Sequence, residues 1–274
     1  MRDDRNRNEI HSETFEQDSL YWRKFVQEAS GYVRFYRTGE GKTRTRSLSV
    51  DQDAVSAFLV QRGRTRLELF GSVFSLYLSR IHRLGGCLLR TSVPAGWRTM
   101  IRVDVDSRSR FSDLTGIFRS ALAEAAAHTR MDIDGYLREK ATWYAVYDVP
   151  DGNEDDAVLA LLSGPGRLSL RYHPDVFSET YMDHMAKNLE SVLAAVLRDP
   201  DQVPGEMELL SGEERALLTA CSAGKTVRVD EDRTLSASFR EYAKAHPDAI
   251  AVDDGVRRVK IGRASCRERV SVVV

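Results

Sequence analysis

Between Trp143 and Arg198 the chain places three short apolar runs ahead of one long amphipathic helix. WYAVYDV, AVLALLS and RLSLRYH are the length of strands and rich in the aromatic and aliphatic residues that buried strands use. Gly164-Pro165-Gly166, between the second and third runs, reads as a hairpin-type turn. Ser178–Arg198 then repeats Met185, Leu189, Val192, Leu193 and Val196 along one helical face until Asp199-Pro200 stops it. Strands of this kind must bury a face, and an amphipathic helix must bury a stripe. A layered α/β or α+β fold satisfies both.

The other segments agree. Phe15–Glu28 reads as a short amphipathic helix around Leu20, Tyr21 and Trp22, and Gly31–Val50 as a polar, extended stretch carrying Arg34, Arg37, Arg44 and Arg46. Ser49-x-x-Gln52 has the form of a capping box opening a helix Asp51–Arg62. Phe70, Val73, Phe74, Tyr77, Ile81 and Leu84 mark a second helix that Gly85-Gly86 would end, and CLLRTSV follows as a buried strand. Ile101, Val103 and Val105 alternate with Arg102 and Asp104, the period of a half-buried strand. Phe111–Ala127 carries a strong helical stripe. Residues 201–232 read as polar loop apart from a short helix capped by Ser211-x-x-Glu214, and Thr234–His246 as a final amphipathic helix.

Charge and cysteine content exclude several classes. The 274 residues hold 40 Lys plus Arg against 41 Asp plus Glu, so the chain lacks the basic excess of a generic nucleic-acid or anionic-membrane binder. No apolar run approaches the ~20 residues of a membrane helix, and MRDDRNRNEIHSETF has no apolar signal core. Cys87, Cys221 and Cys266 show no motif spacing, which argues for a reducing compartment and against a disulfide framework or zinc site. The expected location is cytoplasmic.

No complete catalytic constellation is visible, and no catalytic, cofactor-binding or metal-ligating residue is assigned. Gly41-Lys42-Thr43 and Gly224-Lys225-Thr226 imitate the end of a phosphate loop. The required earlier glycine is replaced by Tyr36 and Thr219, and neither triplet joins a strand to a helix. Gly164-x-Gly166 lacks the third glycine of a dinucleotide fingerprint. His11, His82, His128, His173, His184 and His246 have no ligand spacing. His82 and His184 suit helix surfaces or core edges, and His128 suits a helix C-terminus, where a cation complements the dipole. The Arg34–Arg46 stretch reads as a solvated charged face more readily than as a phosphate contact.

Lys260–Val274 breaks with everything before it. IGRASCRERV resembles a translated sequencing adapter, since ATC GGA AGA GCG TCG TGT AGG GAA AGA GTG encodes those ten residues; a genuine basic tail is the plain alternative. Residues 260–274 are therefore expected to be a non-native tail, with a cloning scar as the nearest rival, and are set aside from fold reasoning together with Cys266.

The order of segments is the most specific feature. DVFSETYMDHMAKNLESVLAAVLRDPDQVPGEMELLSGEERALL (Asp175–Leu218) resembles the end of a condensation domain of nonribosomal peptide synthetases. DRTLSASFREYAKAHPDAIAVDDGVRRV (Asp232–Val259) resembles the opening of an adenylation domain. Upstream, DSLYWRKFV (Asp18–Val26), the helix and strand of Arg62–Gly96, and Phe111–Asp132 with His128 resemble successive condensation-domain segments.

The resemblance implies a chloramphenicol-acetyltransferase-like α/β sandwich, present as its C-terminal lobe alone. The implied organisation is residues 1–207 as that lobe, 208–232 as linker, and 233–259 as the first elements of an adenylation domain. The family's catalytic pair of histidines followed by Asp-Gly belongs to the other lobe and is absent here, so the segment alone is expected to be inactive. Departures are also present. The Gly-Phe-Val-Asn segment expected between Arg98 and Ile101 is missing, the family's Pro-Phe-Glu after His128 stands as MDIDGYL, and its Pro-Leu-Phe-Gln strand as ATWYAVYDV. The implied partners are the N-terminal lobe, peptidyl carrier domains and the adenylation domain, with no nucleic acid and no membrane. No cofactor is expected on this chain; phosphopantetheine would be carried by the carrier domains. The alternative is a catalytically degenerate condensation-like domain serving as an interaction platform for a carrier protein or tailoring enzyme.

Overall fold

The computed structural model describes residues 15–25, 27–28, 35–36, 42–92, 98–128, 141–142, 144–148, 157–226 and 234–262. The chain divides into two units, Met1–Ala220 and Cys221–Val274.

In the first unit, helix α1 covers residues 15–25 and continues at 27–28. It is followed by β1 (Phe35–Tyr36), β2 (Arg44–Leu48), α2 (Gln52–Arg62), α3 (Arg66–His82), β3 (Gly86–Ser92), β4 (Arg98–Asp104) and α4 (Phe111–Ala127). Next come β5 (Ala141–Thr142), β6 (Tyr144–Asp148), β7 (Leu159–Gly164), β8 (Arg167–Tyr172), α5 (Glu179–Arg198) and α6 (Gly212–Ser222). Six strands form one mixed sheet in the order β2-β8-β7-β6-β3-β4, while β1 and β5 pair separately. The β3–β6 and β6–β7 pairs are parallel and the others antiparallel.

Register assigns the two faces of the sheet, because cross-strand partners share a side. Tyr144 lies beside Leu159, Leu161 beside Leu170, and Leu170 beside Arg46. This is the helix side: Tyr144 bonds His82 of α3, and Arg44 and Arg46 pair with Glu179 and Asp183 of α5. The other side carries Arg90, Ala145, Ala160 and Arg171 in one row across β3, β6, β7 and β8. On that side Ala145, Tyr147, Ala157 and Ala160 form a small buried cluster of their own.

The helix side holds the main core. Phe70, Phe74, Phe118, Leu89 and Leu161 are all nearly inaccessible. Gly71 is required where α3 meets α4, since a Cβ there would lie 2.3 Å from the Phe118 ring. Gly166 closes the β7–β8 hairpin with φ +68°, in the left-handed region that glycine enters without penalty. Both the Gly164-Pro165-Gly166 turn and the three strands around it stand as the sequence predicts.

Two local expectations are corrected. Ser49 does not cap α2: its N–H donates to Glu190, and Asp51 instead accepts from the Asp53 and Ala54 amides. A carboxylate one position before the helix reaches these amides directly, so the Ser-x-x-Gln pattern is coincidental. Nor does Gly85-Gly86 end α3, whose last residue is His82, leaving Leu84 outside it. Arg83 adopts the left-handed cap at φ 55°, Ser79 Oγ bonds the Leu84 carbonyl, and Gly86 opens β3. The capping box that α3 does have, Thr65 with Glu68, is reciprocal at 3.2 and 2.8 Å.

The connection after α5 is tied down rather than loose. Pro200 and Gln202 carbonyls accept from Ser112 and Phe111 at the start of α4, and Gly205 donates to Ser107. Ser211, capping α6, donates its backbone N–H to Asn188 of α5 at 2.8 Å, and both residues are buried.

The second unit contains helix α7 (Leu235–Ala245), capped by Thr234, and an antiparallel hairpin of β9 (Ile250–Asp253) and β10 (Arg258–Lys260). Of the expected non-native tail, Lys260 pairs with Ile250 in the hairpin, and Gly262 donates to the Pro247 carbonyl. Residues 263–274, including Cys266, lie outside the described residues. So do His11, Arg34, Arg37, Gly41 and the MDIDGYL segment.

Candidate functional site

The described residues include no group of three or more His, Cys, Asp or Glu able to hold a metal, and no helix long and apolar enough to cross a membrane. The histidines are dispersed. His82 accepts or donates a 2.7 Å bond with the Tyr144 hydroxyl, and burial lowers its pKa. Burial holds the hydroxyls of Tyr144 and Tyr77 protonated, Tyr77 up to about 12. His173 is buried at the end of β8, His184 stands 3.9 Å from Glu214, and His246 caps α7. Cys87 is buried beside Ser75 with its thiol pushed up to about 12, which removes it as a nucleophile; Cys221 is exposed. Lys42 and Thr43 precede an edge strand, and Gly224–Thr226 follow the end of α6, so neither triplet cradles a phosphate. Arg44 and Arg46 are spent on α5 carboxylates.

The structure does assemble one node and one groove that motif reading did not find. Trp22, buried in α1, donates its indole N–H to the His128 carbonyl at 2.9 Å. His128 Nδ1 lies 2.8 Å from the buried Asp18 carboxylate, and its ring stacks on Tyr21 at 4.1 Å. His128 therefore clasps the end of α4 to α1, a more specific role than complementing a helix dipole. The signal was present as two separate resemblances, the Tyr-Trp helix and the helix ending in His128. Only the fold shows that they meet.

Beside this clasp a groove of about 660 Å³ opens between α1, the edge strand β4 and α4. That volume is in the range of small-ligand sites. Tyr21, Phe25, Lys24 and Glu28 line one wall, Arg102 and Asp104 come from β4, and Gly116, Ile117, Ser120, Ala121 and Glu124 come from α4. Arg102 pairs with both Glu28 and Asp104. Burial and the nearby Glu124 carboxylate raise the Tyr21 hydroxyl to about 12, against the opposing charge of Arg102, so it remains a donor at neutral pH. The groove can bind and orient a ligand, but it pairs no nucleophile with a base.

Comparison with known proteins defines the context. No family model matches the chain. The chondramide synthase cmdD of Chondromyces crocatus is 30% identical over 112 residues, 39% of this chain and 3% of that protein. The probable non-canonical nonribosomal peptide synthetase CymA of Salinispora arenicola is 34% identical over 89 residues, 32% of this chain and 1% of that protein. The chain is a relative of the nonribosomal peptide synthetases. Its fold is that of their condensation domains. The first condensation domain of the calcium-dependent antibiotic synthetase superimposes with TM-score 0.59 at 16% identity, over 72% of this chain and 54% of that one. The teicoplanin X-domain, solved in complex with OxyB, gives 0.59 at 15% identity over 72% of this chain and 56% of that one. The four-domain synthetase AB3403 covers more, 85% of this chain and 22% of its own length, with TM-score 0.61 at 16% identity. That added coverage supports an adenylation domain following the condensation fold. The chain thus spans about half of a condensation domain and a few per cent of the curated synthetases.

Proposed function

We propose that the chain is the C-terminal lobe of a condensation domain, residues 1–207, joined by a linker to the first elements of an adenylation domain. In the complete module the domain would form an amide bond between acyl groups carried on the phosphopantetheine arms of carrier domains. The amine of the acceptor attacks the donor thioester carbonyl, the C–N bond forms, and the carrier thiol leaves. The catalytic histidines and the other wall of the cleft would come from an N-terminal lobe, and the reaction would take place in the cytoplasm. On this reading the arginine-bearing face of the sheet, opposite the helices, is the face presented to that lobe. The observation that carries the proposal is the match to just over half of a condensation domain, extended when the neighbour also contains an adenylation domain. Reading the source DNA on both sides of the coding segment tests it. The expected result is an in-frame His-His/Asp-Gly half upstream and continuing adenylation sequence in place of IGRASCRERV. An unrelated upstream frame and a genuine stop after Val274 would overturn it.

One observation favours a second reading, a catalytically degenerate platform. Strands β3 and β4 stay in register from Gly86–Asp104 to Ser92–Arg98, leaving five residues between them. Thr99 and Met100, the two residues between Arg98 and Ile101, are paired within β4, where the family would carry a Gly-Phe-Val-Asn segment. The similar X-domain was solved bound to a second protein, OxyB. A reassembled domain that forms no amide from loaded carriers, yet retains a tailoring enzyme in pull-down, would select this reading.

A further inference from the structure

The charges around the α1–β4–α4 groove do not cancel residue by residue. Arg102 is held by Glu28 and Asp104, Lys24 stands 3.9 Å from Glu28, and Asp113 accepts the Arg110 backbone N–H at 3.1 Å. Two groups remain. Arg64 is half-buried and Glu124 is exposed, and neither side chain forms a hydrogen bond or ion pair among the described residues. Arg64 is felt electrostatically by Glu68, but that carboxylate is already gripped by two nitrogens of Arg119. A guanidinium that lines a groove without a side-chain partner presents a planar fork suited to a carboxylate.

The two ends are spaced by α4 itself. Gly116 lies under the Arg64 guanidinium, where a Cβ would be 3.8 Å from Nη2. Glu124 is on the same helix, eight residues on, or about 12 Å at 1.5 Å per residue. Between them Ile117 and Ala121 supply apolar floor, Ser120 a hydroxyl, and Tyr21 and Phe25 an aromatic wall. An extended chain advances about 3.3–3.6 Å per residue, so about three to four residues bridge the span. The geometry points to a binding site for a short linear peptide with free termini, its carboxylate on Arg64 and its ammonium group at Glu124.

Calorimetric titration of the full chain with trialanine and tetraalanine, at low salt, tests it. The expected result is saturable binding, on the order of millimolar or tighter. Amidating the peptide carboxylate and the substitution Arg64→Gln should each weaken binding about tenfold, and together little more than either alone. N-acetylation and Glu124→Gln should behave as the second such pair. Because neither side chain has a partner, both variants should keep the parent thermal midpoint. Should either shift it, the blocked peptides make the same comparison on the unaltered chain. Absence of saturation at millimolar peptide, equal binding of free and amidated peptide, or equal binding of glycine would each overturn the proposal.

Discussion

The two units bury very different fractions of similar-looking helices. In Met1–Ala220, α5 turns Met182, Met185, Leu189, Val192 and Val196 fully inward against the sheet. In Cys221–Val274, α7 is just as clearly amphipathic, yet Leu235, Phe239 and Tyr242 stay exposed, as do Ile250, Val252 and Val256 of the hairpin region. Ala243 and Ile261 are the buried apolar residues among those described there. An apolar stripe commits a helix to burying one face, but the burial itself needs a second layer, and a helix with a two-stranded hairpin supplies too little of one. The first unit carries that layer within itself. The second leaves most of its described apolar side chains uncovered.

Four measurements would break or sharpen this contrast. Phe118→Ala removes a fully buried ring seated on Gly71 and should cost about 3–5 kcal/mol, seen as a lower urea midpoint for the first unit. Hydrogen exchange in the β9–β10 hairpin should be unaltered by that change; linked loss of protection would mean the units do not fold independently. Asn188→Ala leaves the buried Ser211 N–H unpaired and should cost about 1–3 kcal/mol, with faster proteolysis across residues 205–222. A proteolysis pattern like the parent's would show that α6 is not anchored through Asn188.

The third concerns pH. Burial depresses the His82 pKa below 6.5, so the unfolded chain takes up the proton more readily than the folded one. Stability is then complete above about pH 6.5 and is lost as pH falls toward the lower folded value. His82→Gln should flatten this part of the melting-temperature profile, and an unchanged slope would assign the effect to another group. The smallest effect belongs to the second unit. Leu235→Ser and Val256→Ser, at positions 93% and 89% exposed, should shift stability by no more than about 0.5 kcal/mol. A larger destabilisation would show that these side chains are covered in solution.

Much of the first unit was legible because its signals are local. Period-two alternation in Ile101–Val105, the stripe of Phe111–Ala127 and the Gly164-Pro165-Gly166 turn each depend on residues within a few positions of one another. The failures have the same origin. Ser49-x-x-Gln52 and Gly85-Gly86 satisfy local patterns, but Glu190 takes the Ser49 amide, and a serine five residues upstream of Leu84 helps close the turn at Arg83.

By itself the sequence determined the alternation of strands and amphipathic helices and the segment order shared with condensation and adenylation domains. Tertiary structure decided which side of the sheet the helices cover, that His128 closes on Asp18 and Trp22 across more than a hundred residues, and that Arg64 and Glu124 face one groove without partners. Periodicity specifies which face of an element is apolar. It carries no information on which distant element will meet that face, because that choice is made by packing among segments far apart in the chain.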